Sequence, residues 1–93
     1  MIRALIQSPA FIRATRKFVK RQPASANAIR AALTLLTEDA FDSRLRTHKL
    51  QGPLANRWAC SAGIDLRIIF EFAEHEGAES ILLLTVGTHD EVY

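Results

Sequence analysis

The chain closes on Gly87-Thr88-His89-Asp90-Glu91-Val92-Tyr93, so an imidazole and a phenol follow directly on its most apolar run, Ile81-Leu82-Leu83-Leu84-Thr85-Val86. Imidazole is the side chain that titrates near neutrality and serves as either acid or base. Upstream stand a second imidazole, His48, and the guanidinium of Arg67. Two imidazoles, a guanidinium and a phenol suit metal-free cleavage of RNA. In that reaction the 2′-hydroxyl is the nucleophile, one group removes its proton, another protonates the leaving 5′ oxygen, and a cation steadies the phosphorane-like charge. Each proton-transfer role typically contributes ~10²–10⁴-fold. Arginine fits the oxyanions because its planar fork binds phosphate at two points and stays charged.

Each of these residues also has a plainer reading. His48 precedes a turn and could simply be solvated, while Arg67 could pair with Asp65 or Glu71, an exposed contact worth about 0–1 kcal/mol. Tyr93 could only pin the tail through ring packing. His75, between Glu74 and Glu76, reads as solvent-exposed filler.

Other chemistries fit poorly. The sequence has no HExxH and no Cys/His pair at zinc spacing, and Glu74, Glu76 and Glu79 read as solvated rather than convergent. Phosphate-binding and dinucleotide-binding glycine motifs are absent. Cys60 lies in an alternating segment beside Trp58, where a buried structural thiol is the ordinary outcome. No metal and no cofactor are therefore expected.

Ninety-three residues, 48% hydrophobic and 24% charged, make one domain over residues 1–93, built around a single core. A lone cysteine forms no internal bridge. No secretory signal is visible, and no apolar run approaches the roughly 20 residues of a spanning helix, so a soluble cytoplasmic protein without membrane association is expected. The net charge of +2 conceals an asymmetry. Residues 1–57 hold eleven of the twelve Lys and Arg against three acids, a net +8, whereas residues 58–93 hold only Arg67 against seven acids, a net −6. A basic half of this size points to a polyanionic partner such as nucleic acid, the alternative being that the charges merely solvate helices.

The elements that must position these residues follow from periodicity. Ile2 to Ile6 is compatible with a short strand, and Ser8-Pro9 then supplies an N-cap and a proline at the first helical position. Phe11, Thr15 and Phe18 repeat at helical spacing, with Arg13, Arg16, Lys17, Lys20 and Arg21 on the other side, a cationic amphipathic helix. Gln22-Pro23 ends it, and Ser25 is placed to cap a second helix with the stripe Ile29, Ala32, Leu33 and Leu36. Thr47 to Leu50 reads as a strand, Gln51-Gly52-Pro53 as a turn, Arg57 to Ala62 as a strand, and Ala62-Gly63-Ile64-Asp65 as a hairpin connection. In Leu66 to Phe72 the even positions are apolar, so Asp65, Arg67, Ile69 and Glu71 should point away from the helices. Glu74 to Glu79 reads as an acidic loop, and Ile81 to Val86 as a central strand covered on both sides. The predicted fold class is α+β, with a short N-terminal strand and a two-helix hairpin packed on one face of a C-terminal antiparallel sheet.

The string from His48 to Ser61, through Leu50-Gln51-Gly52 and Arg57-Trp58, followed by Asp65-Leu66-Arg67-Ile68-Ile69-Phe70 and the tail from Gly87 to Tyr93, resembles the RelE/ParE superfamily of bacterial toxins. The likeness is greatest to the YafQ-like mRNA interferases of type II toxin–antitoxin systems and covers essentially the whole chain. It implies a ribosome-dependent endoribonuclease that cuts mRNA in the decoding site and is neutralised by a cognate antitoxin. Carried over residue by residue, it makes His48 a catalytic imidazole, Asp65 an acidic site residue, Arg67 the phosphate contact and His89 the general acid. Tyr93 becomes a terminal aromatic that stacks on a base or orients the scissile phosphate. Arg13, Arg16, Lys17, Lys20, Arg21, Lys49 and Arg57 are the expected contacts to RNA and the ribosome.

This chain departs from the YafQ-like pattern at Ser61, where such toxins carry a further His, and at Leu66, where they carry Trp. Arg67 is then expected to take over the missing imidazole's share of charge stabilisation, leaving His48 as base and His89 as acid. The alternatives are a ParE-like toxin that poisons DNA gyrase without cleaving RNA, and a non-enzymatic nucleic-acid-binding module.

Overall fold

Ser8 begins the helical layer and ties it to the sheet. In the computed structural model, which describes residues 3–52 and 56–92, its hydroxyl accepts from Phe11 N at 3.1 Å and donates to the Leu84 carbonyl at 3.2 Å. Helix α1 (Pro9–Arg21) follows, with Pro9 in its first turn and Lys20 and Arg21 in its last. The proline lacks an N–H where none would be paired, and the late cations suit the negative end of the helix dipole. Helix α2 (Ser25–Glu38) buries Ile29, Ala32 and Leu36. The expectation that Ser25 caps α2 is corrected: Ser25 is its first helical residue, and Ala24 before it supplies no side-chain cap. Backbone bonds from Ser25 N to Gln22 O and Ala26 N to Pro23 O close the connection instead.

Five strands form one sheet in the order β1-β5-β4-β3-β2, where β1 is Ala4–Gln7, β2 His48–Lys49, β3 Trp58–Ala62, β4 Leu66–His75 and β5 Ala78–Thr88. The predicted antiparallel meander is present from β2 to β5, and β1 adds to it in parallel beside β5, making the sheet mixed. Ile2, placed in the opening strand by its apolar neighbours, and Pro53, placed in the turn after Gly52, lie outside the described residues.

The acidic loop expected over Glu74 to Glu79 is also corrected. Glu74 and His75 are the end of β4, Ala78 and Glu79 the start of β5, and only Glu76 and Gly77 turn, at φ of 51° and 79°. Two successive residues with positive φ make the tight hairpin whose twist matches the flanking strands.

Phe11 and Phe18 from α1, Ile29 and Leu36 from α2, and Ile68, Phe70, Ile81 and Leu83 from the sheet form one buried cluster between the layers. Each such side chain contributes about 1.5–3 kcal/mol by leaving water. The strand expected to be covered on both sides is less enclosed than that: Ile81, Leu83 and Val86 are buried, but Leu82 and Leu84 only half so. Pairing shifts between Ile69↔Thr85 and Phe70↔Leu83, leaving Leu84 as an extra residue in β5. This bulge switches parity, so Ile81 and Leu83 face the helices before it and Val86 after it. Among the described residues no helix is long and apolar enough to cross a membrane.

Candidate active site

Because Cys60, Ala62, Leu66, Ile68 and Phe70 enter the core, strand alternation turns Ala59, Ser61, Arg67 and Ile69 to the face away from the helices. His48 pairs with Ala59, and Arg67 sits between Ser61 on one side and Gly87 on the other. The bulge at Leu84 is what puts Gly87, rather than its neighbours, on this face. His48 and Arg67 are thus two strands and two residues apart. At ~4.8 Å per strand and ~3.4 Å per residue their Cα atoms are separated by about 12 Å, a gap that two long side chains can close on a single phosphate.

The approach to His48 is built by a 3₁₀ turn, Ser43–Leu45, held inward by the buried Leu45. Asp42 caps it, accepting from Arg44 N at 2.9 Å and gripping the Arg44 guanidinium by Nε at 3.0 Å and Nη2 at 2.9 Å. Those bonds, the guanidinium's first, pull the Asp42 carboxyl down to about 2. Arg46 then adopts the left-handed region, at φ 52° and ψ 40°. A non-glycine residue there costs about 1–2 kcal/mol. The turn it makes places the Arg46 carbonyl 3.0 Å from Nδ1 of His48. A carbonyl only accepts, so Nδ1 of His48 is the donor in this contact.

Arg67 does not pair with Asp65 or Glu71. Its Nη1 donates to the Leu66 carbonyl at 2.9 Å and the Ile64 carbonyl at 3.3 Å, while Glu71 lies 3.7 Å from Arg57. Arg67, Arg44, Arg46 and Ser61, with Gly63 and Ile64, line a cavity of about 260 Å³. Arg44 and Arg46 had no place in the sequence-derived site, and Ser61 entered it only as a departure. The signal for the two arginines was their i, i+2 spacing around an apolar Leu45, two residues ahead of His48.

The tail is not an extended continuation of β5. After Thr88 it coils into a single helical turn, α3 (His89–Val92), packed against β5 and β4. Glu91 fixes that turn by accepting from Thr88 N and from Thr88 Oγ1, both at 3.0 Å. The Thr88 amide first, then its hydroxyl, with Arg21 and Lys17 adding attraction, hold the Glu91 carboxyl below its ordinary range. His89 is exposed, with Nδ1 3.6 Å from Asp90 Oδ1. It shares a depression of about 280 Å³ with Asp65, Leu66, Thr88, Asp90, Phe18 of α1 and Gln22 just after it. Asp65 stands in the turn before β4 and so joins His89 rather than the arginine cavity. Tyr93 lies outside the described residues.

Arg13, Arg16, Lys17, Lys20 and Arg21 are all exposed on α1, with Arg21 stacked over Phe18 at 5.1 Å. Lys49 is exposed on β2 and pairs with Trp58 across the strands. Burial pushes the Cys60 thiol up to about 12, which removes it as a nucleophile at neutral pH. Among the described residues no group of three or more His, Cys, Asp or Glu is placed to hold a metal. A larger cavity, about 500 Å³, lies at the other end of the sheet, where Phe41, Trp58 and Phe72 pack ring against ring. Its lining contains none of the candidate residues read from the sequence.

No family model matches the sequence, and no curated protein matches it. Solved structures do. YafQ from E. coli strain BL21(DE3) superposes with a TM-score of 0.78 at 16% identity, over 98% of this chain and 98% of that one. A chain of the E. coli DinJ-YafQ toxin–antitoxin complex gives 0.76 at 17% identity, over 100% and 99%. The fold is that of the RelE/YafQ-like toxins. A YoeB/ParE toxin from Agrobacterium tumefaciens shares it too, with a TM-score of 0.74 at 14% identity, over 92% of this chain and 98% of that one. At these identities the RelE/YafQ-like scaffold is common to all, while the arginine cavity is described from this chain's own residues.

Proposed function

We propose that the chain is the toxin of a bacterial type II toxin–antitoxin pair, a ribosome-dependent endoribonuclease that cleaves mRNA by 2′-hydroxyl attack without a metal or cofactor. The observation that supports this reading is the cross-strand register on the sheet face away from the helices, which links His48 through Ala59, Ser61 and Arg67 to Gly87, two residues before His89. Nε2 of His48 takes the 2′-hydroxyl proton, O2′ attacks phosphorus, and the bond to the 5′ oxygen breaks as His89 protonates that oxygen. The products are a 2′,3′-cyclic phosphate and a 5′-hydroxyl. Arg67 binds the phosphate oxygens as charge builds on them. Asp65, lining the depression of His89, supplies an acceptor that orients its ring, and Tyr93 stacks on a base.

The partners of this reading are the ribosome, mRNA and a cognate antitoxin, which YafQ has in the DinJ-YafQ complex. The exposed cations of α1, Lys49 and Arg57 meet RNA, and acidic antitoxin residues cover part of the basic surface. His89→Ala tests the assignment. The variant should fold as the parent does and lose at least ~10²-fold in cleavage of ribosome-bound mRNA, read by primer extension. Undiminished cleavage would remove His89 as the acid. Growth arrest by the parent protein with no mRNA cleavage at all would move the assignment to the gyrase-poison reading.

A further inference from the structure

The mechanism above uses Arg67 but leaves Arg44 and Arg46 idle, although all three arginines line one cavity of about 260 Å³ together with Ser61. None of the residues lining it is acidic. Two carboxylates act on Arg44, Asp42 through its bonds and Glu38 through charge, and neither lines the cavity. Three cations brought together repel one another unless an anion joins them. Two of the three are fixed in advance, Arg44 by the Asp42 fork and Arg67 by the Leu66 and Ile64 carbonyls. Arg46 is held at φ 52°, a conformation that costs free energy and that tight surroundings must maintain. Arginines around a small cavity, with a hydroxyl donor on its wall, match a tetrahedral phosphate better than a flat or bulky anion.

We propose that Arg44, Arg46 and Ser61, with Arg67 as the shared wall, bind a second phosphodiester of the RNA, the one adjoining the scissile phosphate. This rests on the nuclease reading and extends it. Arg67 pairs with Gly87 across the strands and lines the cavity, so a strand whose scissile phosphate lies against Arg67 delivers its neighbour to Arg44 and Arg46. The pocket thereby sets which phosphate reaches the imidazoles.

The test uses a fluorescent single-stranded RNA dodecamer bearing 2′-O-methyl riboses throughout, which binds but offers no nucleophile. Anisotropy titrations over a range of salt compare the full chain with Arg44→Gln and Arg46→Gly. Arg44→Gln keeps a donor for Asp42, and Arg46→Gly keeps the carbonyl that holds His48 while easing the left-handed backbone. Both variants should retain or raise the melting temperature. Combined, they should weaken binding about tenfold or more and flatten the slope of log K against log salt by about 0.7, the value for one phosphate of a single strand. An unchanged affinity and slope overturns the pocket, whether or not the parent cleaves mRNA. An unchanged RNA affinity with lost binding of a glutamate-rich peptide also overturns it, in favour of a carboxylate site. If the slope falls but the parent never cleaves ribosome-bound mRNA, the pocket stands and the nuclease reading falls.

Discussion

A β-carbon built on Gly87 would come within 2.8 Å of Val92 Cγ1 and 3.3 Å of Glu91 Cβ, so the position of His89 depends on a side chain that is missing. Gly87→Ala should leave the melting temperature nearly unchanged, a cost of about 1 kcal/mol or less, because a one-turn tail can lift away. Cleavage should fall by as much as ~10²-fold, the penalty for displacing a catalytic group by about 1 Å. Adding Val92→Ala removes the obstruction and should restore most of the rate; full activity in Gly87→Ala alone would mean that the packed tail is not the active one. At this scale His48, Arg67 and His89 were candidates from residue type alone, because their chemistry is in their side chains. Arg44 and Arg46 were not, since they converge only through a 3₁₀ turn and a left-handed arginine that no propensity announces. Gly87 was legible as part of a motif but not as a packing requirement.

Between residue and molecule, the bulge at Leu84 does most to bring the site together. Strand β4 could be read from its alternation, but β5 is apolar at both parities, and a period of two leaves no trace when neither face is polar. The switch that puts Gly87 opposite Arg67 was therefore invisible, as was the second role of Ser8 in satisfying the bulge carbonyl. The tail turn could have been read: Thr88-His89-Asp90-Glu91 has the spacing of a capping box, and here the Glu91 carboxylate does reach back to the Thr88 amide. That bond gives a pH dependence with a definite sign. The folded-state pKa of Glu91 is depressed, so its contribution is complete above the unfolded carboxylate value, about 4.3, and is lost as pH falls through the lower folded value. Followed by NMR, the Thr88 amide shift should titrate with a midpoint below about 4.3, and Glu91→Ala should abolish the transition. A midpoint at the ordinary glutamate value would show that the cap does not form in solution.

Charge is segregated along the whole molecule in a way the sequence halves only foreshadowed. Strand β4 leaves the site at Leu66 and ends at His75, about 30 Å away at ~3.3 Å per residue. The hairpin residues Glu74, Glu76 and Glu79 therefore stand at the far end of a body 37 Å long, while Arg44, Arg46, Arg67 and the exposed face of α1 lie toward the other. Such a distribution presents its cationic end to a polyanion and holds its acidic end away, raising the on-rate most at low salt. Within α1 the cations divide by what they touch. Lys17 and Arg21 act on Glu91 and so on the tail, whereas Arg13 and Arg16 have no such connection in the described contacts and report on docking alone. Arg13→Glu combined with Arg16→Glu should lower co-sedimentation with ribosomes at least tenfold and reduce its salt dependence, since sequence-independent phosphate contacts are lost. Cleavage at saturating ribosome concentration should stay within about twofold of the parent, because neither residue lines the cavity of Arg67 or the depression of His89. Ribosome association that survives this reversal at every salt concentration would make the α1 cations a solvated face and leave docking to the sheet side.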